Sequence, residues 1–558
     1  MIEIDKTVQE CDVLIAGGGI AGLMAAIAAA DAGAKVIVAE KCDTRRSGSG
    51  CTGNDHFMCY IPEIHGSVDD FYKTIKMSQA GRIFDKTLVM KFINRSFEVV
   101  QDWEKWGIEM RPTGKWEFLG HAFPGRMRIH LKYNGENQKE VLTKEALKRG
   151  VVIENKTPIT DYLVEDERIV GAIALDVSQL QPRMKLFKAK SVISTTGNTS
   201  RLYPSITGAW MFNTADCPSS AANGRAAAYR AGASLTNLEL PTLFAGPKYF
   251  VRSGKATWIG LLKDSKGTSL SPFINKPNKE LGDVTADIWP GVFTDKYKDG
   301  TGPVFMDCST IDKADMDYMM WAFKCEGVTS LVDAMDKQGI DLKKHMVEFA
   351  KYEPTMFGAG IEIDENGMTS VNGLFAAGDE LGNFRTGGIP GAAVYGRIAG
   401  ESSAAYTKHV TCDSDITNHP LVQERQAFFN ELMERETGAT WKELNTAVQQ
   451  IMNDYAGVTF VRSDTLLSAG YKYLCDLEEF ADGAVCCKDS HELMRVLESF
   501  DLLLFGKLLC LTARERKETR GMHKRSDYTF TNPLMDDMLL TIKRGEDGEP
   551  EMKWRPTY

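Results

Sequence analysis

The chain contains no C-x-x-C pair and no C-x₂-C-x₂-C run. Its twelve cysteines, at 11, 42, 51, 59, 217, 308, 325, 412, 475, 486, 487 and 510, are scattered. Ferredoxin-type clusters and zinc ribbons need ligands at short fixed spacing, so neither is expected inside this chain. A disulfide framework is equally unexpected in a large cytoplasmic chain, and scattered buried thiols are the plain reading. A basic excess is missing too: 66 Lys and Arg face 76 Asp and Glu, a formal charge of −10. That argues against nucleic acid bound over a broad basic face. No apolar run reaches the roughly 18 residues of a membrane span, so no direct span is expected. The start, Met1-Ile2-Glu3-Ile4-Asp5, lacks the basic and apolar regions of a secretory signal, so the expected location is the cytoplasm. There is no internal repeat or low-complexity tract. What is left is globular: 43% hydrophobic and 25% charged over 558 residues, room for about three or four domains.

What the chain does have is glycine, 50 in all, and in clusters. Val13-Leu14-Ile15-Ala16 is a short apolar run that predicts a buried parallel strand. Gly17-Gly18-Gly19-Ile20-Ala21-Gly22 follows, then an alanine-rich helix from about Ala21 to Ala32 with Gly33 near its end. Val36-Ile37-Val38-Ala39 predicts a second strand, ended by Glu40. This is a βαβ unit carrying G-x-G-x-x-G. Gly17 permits the tight turn, Gly19 removes the side chain that would block a pyrophosphate, and Gly22 lets helix and strand approach. The helix N-terminus offers free N–H groups and a favourable dipole to phosphates. Glu40 is placed to accept ribose hydroxyls and would repel a 2′-phosphate, so FAD or NAD is expected rather than NADP.

The late part of the chain separates FAD from NAD. Gly373-Leu374-Phe375-Ala376-Ala377-Gly378-Asp379 reads as a strand, a glycine and an acid. Folded beside the first unit, Asp379 can meet a ribitol chain, which NAD lacks. A glycine turn, Arg385-Thr386-Gly387-Gly388-Ile389-Pro390-Gly391, then opens a helix whose positive end can face a reduced flavin.

These segments resemble the flavoprotein subunits of the fumarate reductase and succinate dehydrogenase superfamily, including the alpha subunit of adenylylsulfate reductase. The resemblance also runs through Arg46-Ser47-Gly48, Phe187-Lys188-Ala189-Lys190 into Ser191–Gly197, Gly302-Pro303-Val304-Phe305-Met306-Asp307, and the tail motif from Arg516-Lys517-Glu518-Thr519-Arg520 to Tyr528. It implies an α/β protein: an FAD-binding Rossmann-like domain with an inserted capping domain and a C-terminal helical domain. The expected boundaries are 1–235 for the first part of the FAD-binding domain, with a helical insertion near 60–130; 236–352 for the capping or substrate domain; 353–412 for the second FAD part; 413–530 for the helical domain; and 531–558 for a polar surface tail.

Motif and resemblance together name the expected FAD contacts. From the first unit come Gly17, Gly19, Ile20, Ala21, Gly22, Glu40 and Lys41. From the following loop come Ser47, Gly48, Ser49, Gly53 and Asn54. Thr196, Gly197, Gly378, Asp379, Gly388, Ala392 and Ala393 complete the set. Gly48 stands where membrane-bound fumarate reductases carry the histidine that bonds to FAD, so non-covalent FAD is expected. Arg385 matches the family arginine that grips a substrate carboxylate. Asn54, Asp55 and His56 are expected at the reactive face. Lys248, Tyr249, Arg252 and Lys255 form a basic-aromatic cluster expected beside the active-site mouth, with Lys248 and Arg252 as candidate anion contacts. His130, Arg126, Arg520 and His523 are expected to pack or lock domains. The chain departs from the family where His-Pro-Thr becomes Leu240-Pro241-Thr242, where Glu353-Pro354-Thr355 replaces a histidine segment, and in lacking the arginine acid's motif.

The reading is an FAD-dependent oxidoreductase that exchanges a hydride with an anionic organic substrate or oxyanion. With one dinucleotide fold and no cluster ligands, its electrons come through a partner, for which the resemblance implies a small ferredoxin-like iron–sulfur subunit, or from NAD(P)H. A pure electron-relay subunit without its own substrate pocket is the rival, and Cys51 near the flavin is a weaker thiol-based one.

Overall fold

In the computed structural model, residues 4–78, 82–119, 126–205, 211–249, 256–270, 278–279, 291–386, 388–458 and 461–558 are described. The apolar run predicted at Val13–Ala16 lies in the strand Lys6–Ala16, at the centre of a seven-stranded sheet. Val36–Glu40 pairs with it in parallel on one side, with Val152–Asn155 beyond. Arg183–Ser194 pairs in parallel on the other side. That strand changes neighbour along its length. Its first half runs antiparallel to Arg168–Asp176, which turns back into Ile159–Glu165, while Val192–Ser194 run parallel to Leu374–Ala376. The central strands are buried on both faces, as unbroken apolar runs require. Register aligns Ala16 with Ala39 and Ser194, and Ser194 with Ala376. Four strand ends therefore meet at one edge of the sheet. Parallel α/β sheets bind ligands at such an edge.

The alanine-rich helix forms over Ile20–Asp31, and Gly33 follows it at φ +90°. It packs against Gly388–Thr407. A Cβ on Gly396 would lie 2.3 Å from Ala21 O, and one on Gly400 2.3 Å from Ala25 O, so glycine is what allows these backbones to touch. The helical insertion is present as Pro62–His65, Val68–Ser78 and Lys86–Trp106.

The inserted lobe has its own sheet, in the order Ala245–Pro247, Val347–Lys351, Val304–Asp307, Leu261–Lys263, and its own core around Trp258, Phe323 and Phe349. Its strands are short and its hairpins long, which explains the weak periodicity of the sequence. The lobe rests on the 47–56 loop by backbone approach. A Cβ on Gly53 would sit 2.0 Å from Cys325 O, and one on Gly327 2.5 Å from Thr52 O.

Helices Trp441–Ala456, Asp464–Ala484 and Ser490–Glu515 pack together toward the C-terminus. The predicted 493–504 periodicity is the middle of the last of these, and Asp489 caps it by accepting from Glu492 N at 2.8 Å. His523 is buried, its Nδ1 accepting from Arg462 and its Nε2 donating to Arg516 O, each at 2.9 Å, and Arg520 pairs with Glu518. Both bind within the C-terminal region: Arg520 meets Glu518, Asn532 and Asp536 rather than the cofactor domain. The tail differs from the surface wrap expected of it. Met538–Arg544 and Pro550–Pro556 form a hairpin that pairs with Leu235–Thr236 and buries Leu539, Leu540 and Ile542. Polar flanks hid this short apolar stretch. Among the described residues no helix is long and apolar enough to cross a membrane.

Candidate active site

A cavity of about 700 Å³ runs along the sheet edge where the four strand ends meet, and continues beneath the inserted lobe. Gly17, Gly19, Ile20, Ala21, Glu40 and Lys41 line one end. Gly17 takes φ +103°, a conformation that favours glycine, and its Cβ would strike Thr195 O at 2.6 Å. A Cβ on Gly19 meets nothing within 4 Å: it would project into open cavity, where a phosphate must approach. Gly22 lies behind the lining, and its Cβ would fall 1.9 Å from Gly17 O, which is the close-packing role expected of it. Glu40 braces the turn, its two carboxylate oxygens accepting from Gly18 N at 2.6 Å and Cys42 N at 2.7 Å. Each oxygen keeps a second acceptor position for a hydroxyl.

Lys41 also lines the cavity, but its ammonium donates to Ser219 O, Asn223 Oδ1 and Glu498 Oε1 at 2.8, 2.5 and 2.8 Å. Its three donors are spent on the protein. The buried cation at the turn is instead Lys139, whose ammonium donates to Gly18 O. Burial lowers its pKa from 10.5 to about 8. In sequence Lys139 is one more charged residue of an ordinary helix, and only burial distinguishes it.

Ser47, Gly48, Ser49, Gly53 and Asn54 line the middle, facing Thr196 and Gly197. Buried Glu380 fixes that wall, accepting from Thr196 N at 3.0 Å and Thr196 Oγ1 at 2.8 Å. Gly378 and Asp379 follow, then Gly388 and Ala392 at the start of the late helix. Ala393 is fully buried behind them.

Beyond this lies a polar chamber. Arg385 is buried, and its Nη1 donates to Thr242 Oγ1 and to Phe357 O, both at 2.6 Å. Arg82 approaches the same hydroxyl, donating through Nη1 at 2.7 Å. Desolvation, and for Arg385 also the nearby Arg82 charge, lowers both pKa values, that of Arg82 to about 9. His56 lines the same chamber with its Nδ1 against buried Asp55. The other Asp55 oxygen accepts from Thr257 Oγ1 and Tyr318 OH of the lobe, each at 3.1 Å. Thr257 in turn bonds Glu326, a further lining residue. His130 lines the cavity too, its ring edge-on to His56 at 5.2 Å, and Arg126 is exposed.

Two members of the basic-aromatic cluster are not gathered here. Lys248 is absent from the lining and pairs with Glu348 at 2.7 Å, while Tyr249 is exposed. Arg252 and Lys255 lie outside the described residues.

Residues 12–393 match the family model of an FAD binding domain, and residues 445–558 that of the fumarate reductase flavoprotein C-terminus. The chain belongs to the superfamily of FAD-binding flavoproteins that includes the fumarate reductase flavoprotein subunits. This flavoprotein is 26% identical to a subunit of the fumarate reductase (CoM/CoB) of Methanothermobacter marburgensis, over 97% of this chain and 99% of that one. It is 24% identical to the 8-methylmenaquinol:fumarate reductase flavoprotein subunit of Wolinella succinogenes, over 98% and 91%. The structure of adenylylsulfate reductase from Archaeoglobus fulgidus superposes with a TM-score of 0.84 at 22% identity, covering 100% of this chain and 97% of that one.

The chain is therefore an FAD-dependent oxidoreductase, and the cavity suits that cofactor. The open space above Gly19, the braced Glu40 and the late helix N-terminus are what a dinucleotide with a flavin end requires. The sequence expectations at the substrate end centred on Arg385. Arg82 and Thr242 there, and the buried Glu380 behind the Thr196 wall, were not among them. Thr242 was legible as the retained last residue of a changed His-Pro-Thr. Arg82 carried no signal of its own.

Proposed function

We propose that this flavoprotein exchanges a hydride between non-covalently held FAD and a small anionic organic substrate or oxyanion, receiving its electrons through an iron–sulfur partner subunit. The observation that carries the reading is the buried Arg385, lining the same cavity as the dinucleotide turn. A guanidinium so placed binds an acid group in a fixed orientation. Thr242 and Phe357 O hold it in place. FAD, when bound, supplies the two-electron exchange. His56 handles the accompanying proton. Asp55 fixes its tautomer through Nδ1, so the proton is exchanged at Nε2. The lobe contributes Thr257 and Tyr318 to that carboxylate, so its seating completes the proton-handling pair. The partner rests on the relatives, two of which are named as subunits, and on the absence of cysteine motifs for an internal cluster.

The test starts from FAD-loaded protein reduced anaerobically and mixed with a panel of unsaturated carboxylates and sulfur oxyanions, following flavin absorbance. Rapid reoxidation by one of them is expected. Arg385→Gln should slow it by about 100-fold, and His56→Gln by about 100-fold or more. Reoxidation by no anion would favour the pure relay. Anoxic purification of the native complex tests the partner, with a cluster-bearing chain expected to co-purify.

A further inference from the structure

Half-buried Arg82 differs from most buried arginines of this chain, which meet carboxylates or, as Arg225 and Arg462 do, several backbone carbonyls. Arg201 meets Glu498, Arg230 meets Asp161 and Asp501, and Arg516 meets Glu239 and Glu518. Among the described residues Arg82 has one hydrogen-bond partner, the neutral hydroxyl of Thr242, and no carboxylate. It faces the cavity rather than the core. Thr242 Oγ1 receives it at 2.7 Å and Arg385 at 2.6 Å, so two guanidinium groups converge on one oxygen. Thr242 is itself held rigidly: its backbone exchanges two 2.8 Å hydrogen bonds with Thr355. Like charges at this separation in a desolvated pocket repel, and a protein keeps such a pair where an anion joins it. Desolvation lowers the pKa values of both groups, and at Arg385 the Arg82 charge lowers it further while Asp379 opposes it.

Resting on the proposed anionic substrate, we infer that Arg82 is a specificity-determining residue: with Arg385 it clasps one oxyanion head of the substrate, and the pair selects a head bearing two negative charges over a simple carboxylate. One guanidinium is matched by one carboxylate. The second lines the same chamber and has donors with no partner among the described residues, and a head with more oxygens or more charge satisfies them, such as a tetrahedral oxyanion or two adjacent carboxylates. A mono-acid leaves Arg82 desolvated and unmatched, which is a penalty.

The test uses FAD-loaded wild type, Arg82→Gln, Arg82→Lys and Arg385→Gln at fixed ionic strength. Sulfate, oxalate and acetate are titrated while the flavin absorbance perturbation is read. Wild type should bind sulfate or oxalate at least about tenfold more tightly than acetate, the scale of one well-placed charge. Sulfate alone being preferred identifies a tetrahedral head, and oxalate alone a paired carboxylate. Arg82→Gln should abolish the preference and leave acetate within about threefold of wild type, a pattern that a merely structural role would not give. Arg82→Lys keeps the charge without the fork and should retain part of the preference. Equal binding of all three anions by wild type, or a preference that survives Arg82→Gln, overturns the inference while leaving the role of Arg385 intact. If no anion perturbs wild type and Arg385→Gln changes nothing, the underlying reading of the site falls with it.

Discussion

Several of the groups that shape this site are charged residues in the wrong solvent. Glu353 occupies the segment where the family histidine is absent. It is buried, one carboxyl oxygen accepts from Ala215 N at 2.7 Å, and the other finds no partner among the described residues. Burial therefore raises its pKa from 4.5 to about 7. Between those two values the native carboxyl keeps a proton that the unfolded one has lost. The native state then binds more protons, and stability falls as pH rises through that window. Glu353→Gln keeps the shape and the bond from Ala215 N but cannot ionise. It should be more stable than wild type by about 3 kcal/mol at pH 8, the difference closing toward pH 4.5. Urea unfolding at a series of pH values reads this directly, and an offset independent of pH would mean that the native carboxyl is ionised. Lys139 gives the opposite slope. Its pKa is lowered from 10.5 to about 8, so the unfolded chain binds the extra proton and stability rises between those values. Lys139→Met should flatten that rise in the same measurement.

At the level of elements, the two glycine-bearing helices decide whether the cavity exists. Helix propensity alone says that Gly400→Ala should gain about 1 kcal/mol. Packing says the reverse, because the new methyl would fall 2.3 Å from Ala25 O and 2.9 Å from Ala25 Cα on the facing helix. Overpacking of this kind costs about 1–3 kcal/mol. A lowered Tm with weakened FAD binding is expected, and a raised Tm would show that the helices separate without strain. This helix pair also marks how far the sequence was legible. Strand, turn and helix around Gly17 could be read because period and glycine spacing are local. That Gly396 and Gly400 meet Ala21 and Ala25 could not, since the pairing joins segments far apart in the chain. The inserted lobe was visible as a region but not as a sheet, because strands such as Leu261–Lys263 are too short to show a period. The tail hairpin was hidden for a similar reason. At the site, residues in motifs such as Gly19, Asp379 and Arg385 were found. Arg82, Lys139 and Glu380 were not, for each is an ordinary polar residue in sequence and becomes informative only when folding takes it out of water.

The molecule as a whole is joined by buried charge clusters as much as by apolar packing. Glu498, on the long C-terminal helix, is almost fully buried and meets Lys41 at 2.8 Å, Arg495 at 2.8 Å, and Arg201. Lys41 follows the second strand of the dinucleotide unit, and Arg201 follows the strand Arg183–Ser194. One carboxylate thus ties the helical region to two loops of the cofactor domain. Its pKa is lowered to about 2 by the three cations despite burial. A depressed carboxyl stabilises the fold fully above its ordinary value of 4.5, and that contribution is lost as pH falls toward 2. Glu498→Ala leaves three cations facing one another and should cost about 3–5 kcal/mol at pH 7. The difference from wild type should narrow below pH 4.5, where the unfolded carboxyl takes up a proton that the native one, with its lowered pKa, does not. Because Lys41 lines the cavity, the same substitution should weaken FAD binding, read by flavin fluorescence quenching. Lost stability with unchanged FAD affinity would confine Glu498 to the domain joint. Loss of both would show that the helical region sets the shape of the cofactor groove from outside it.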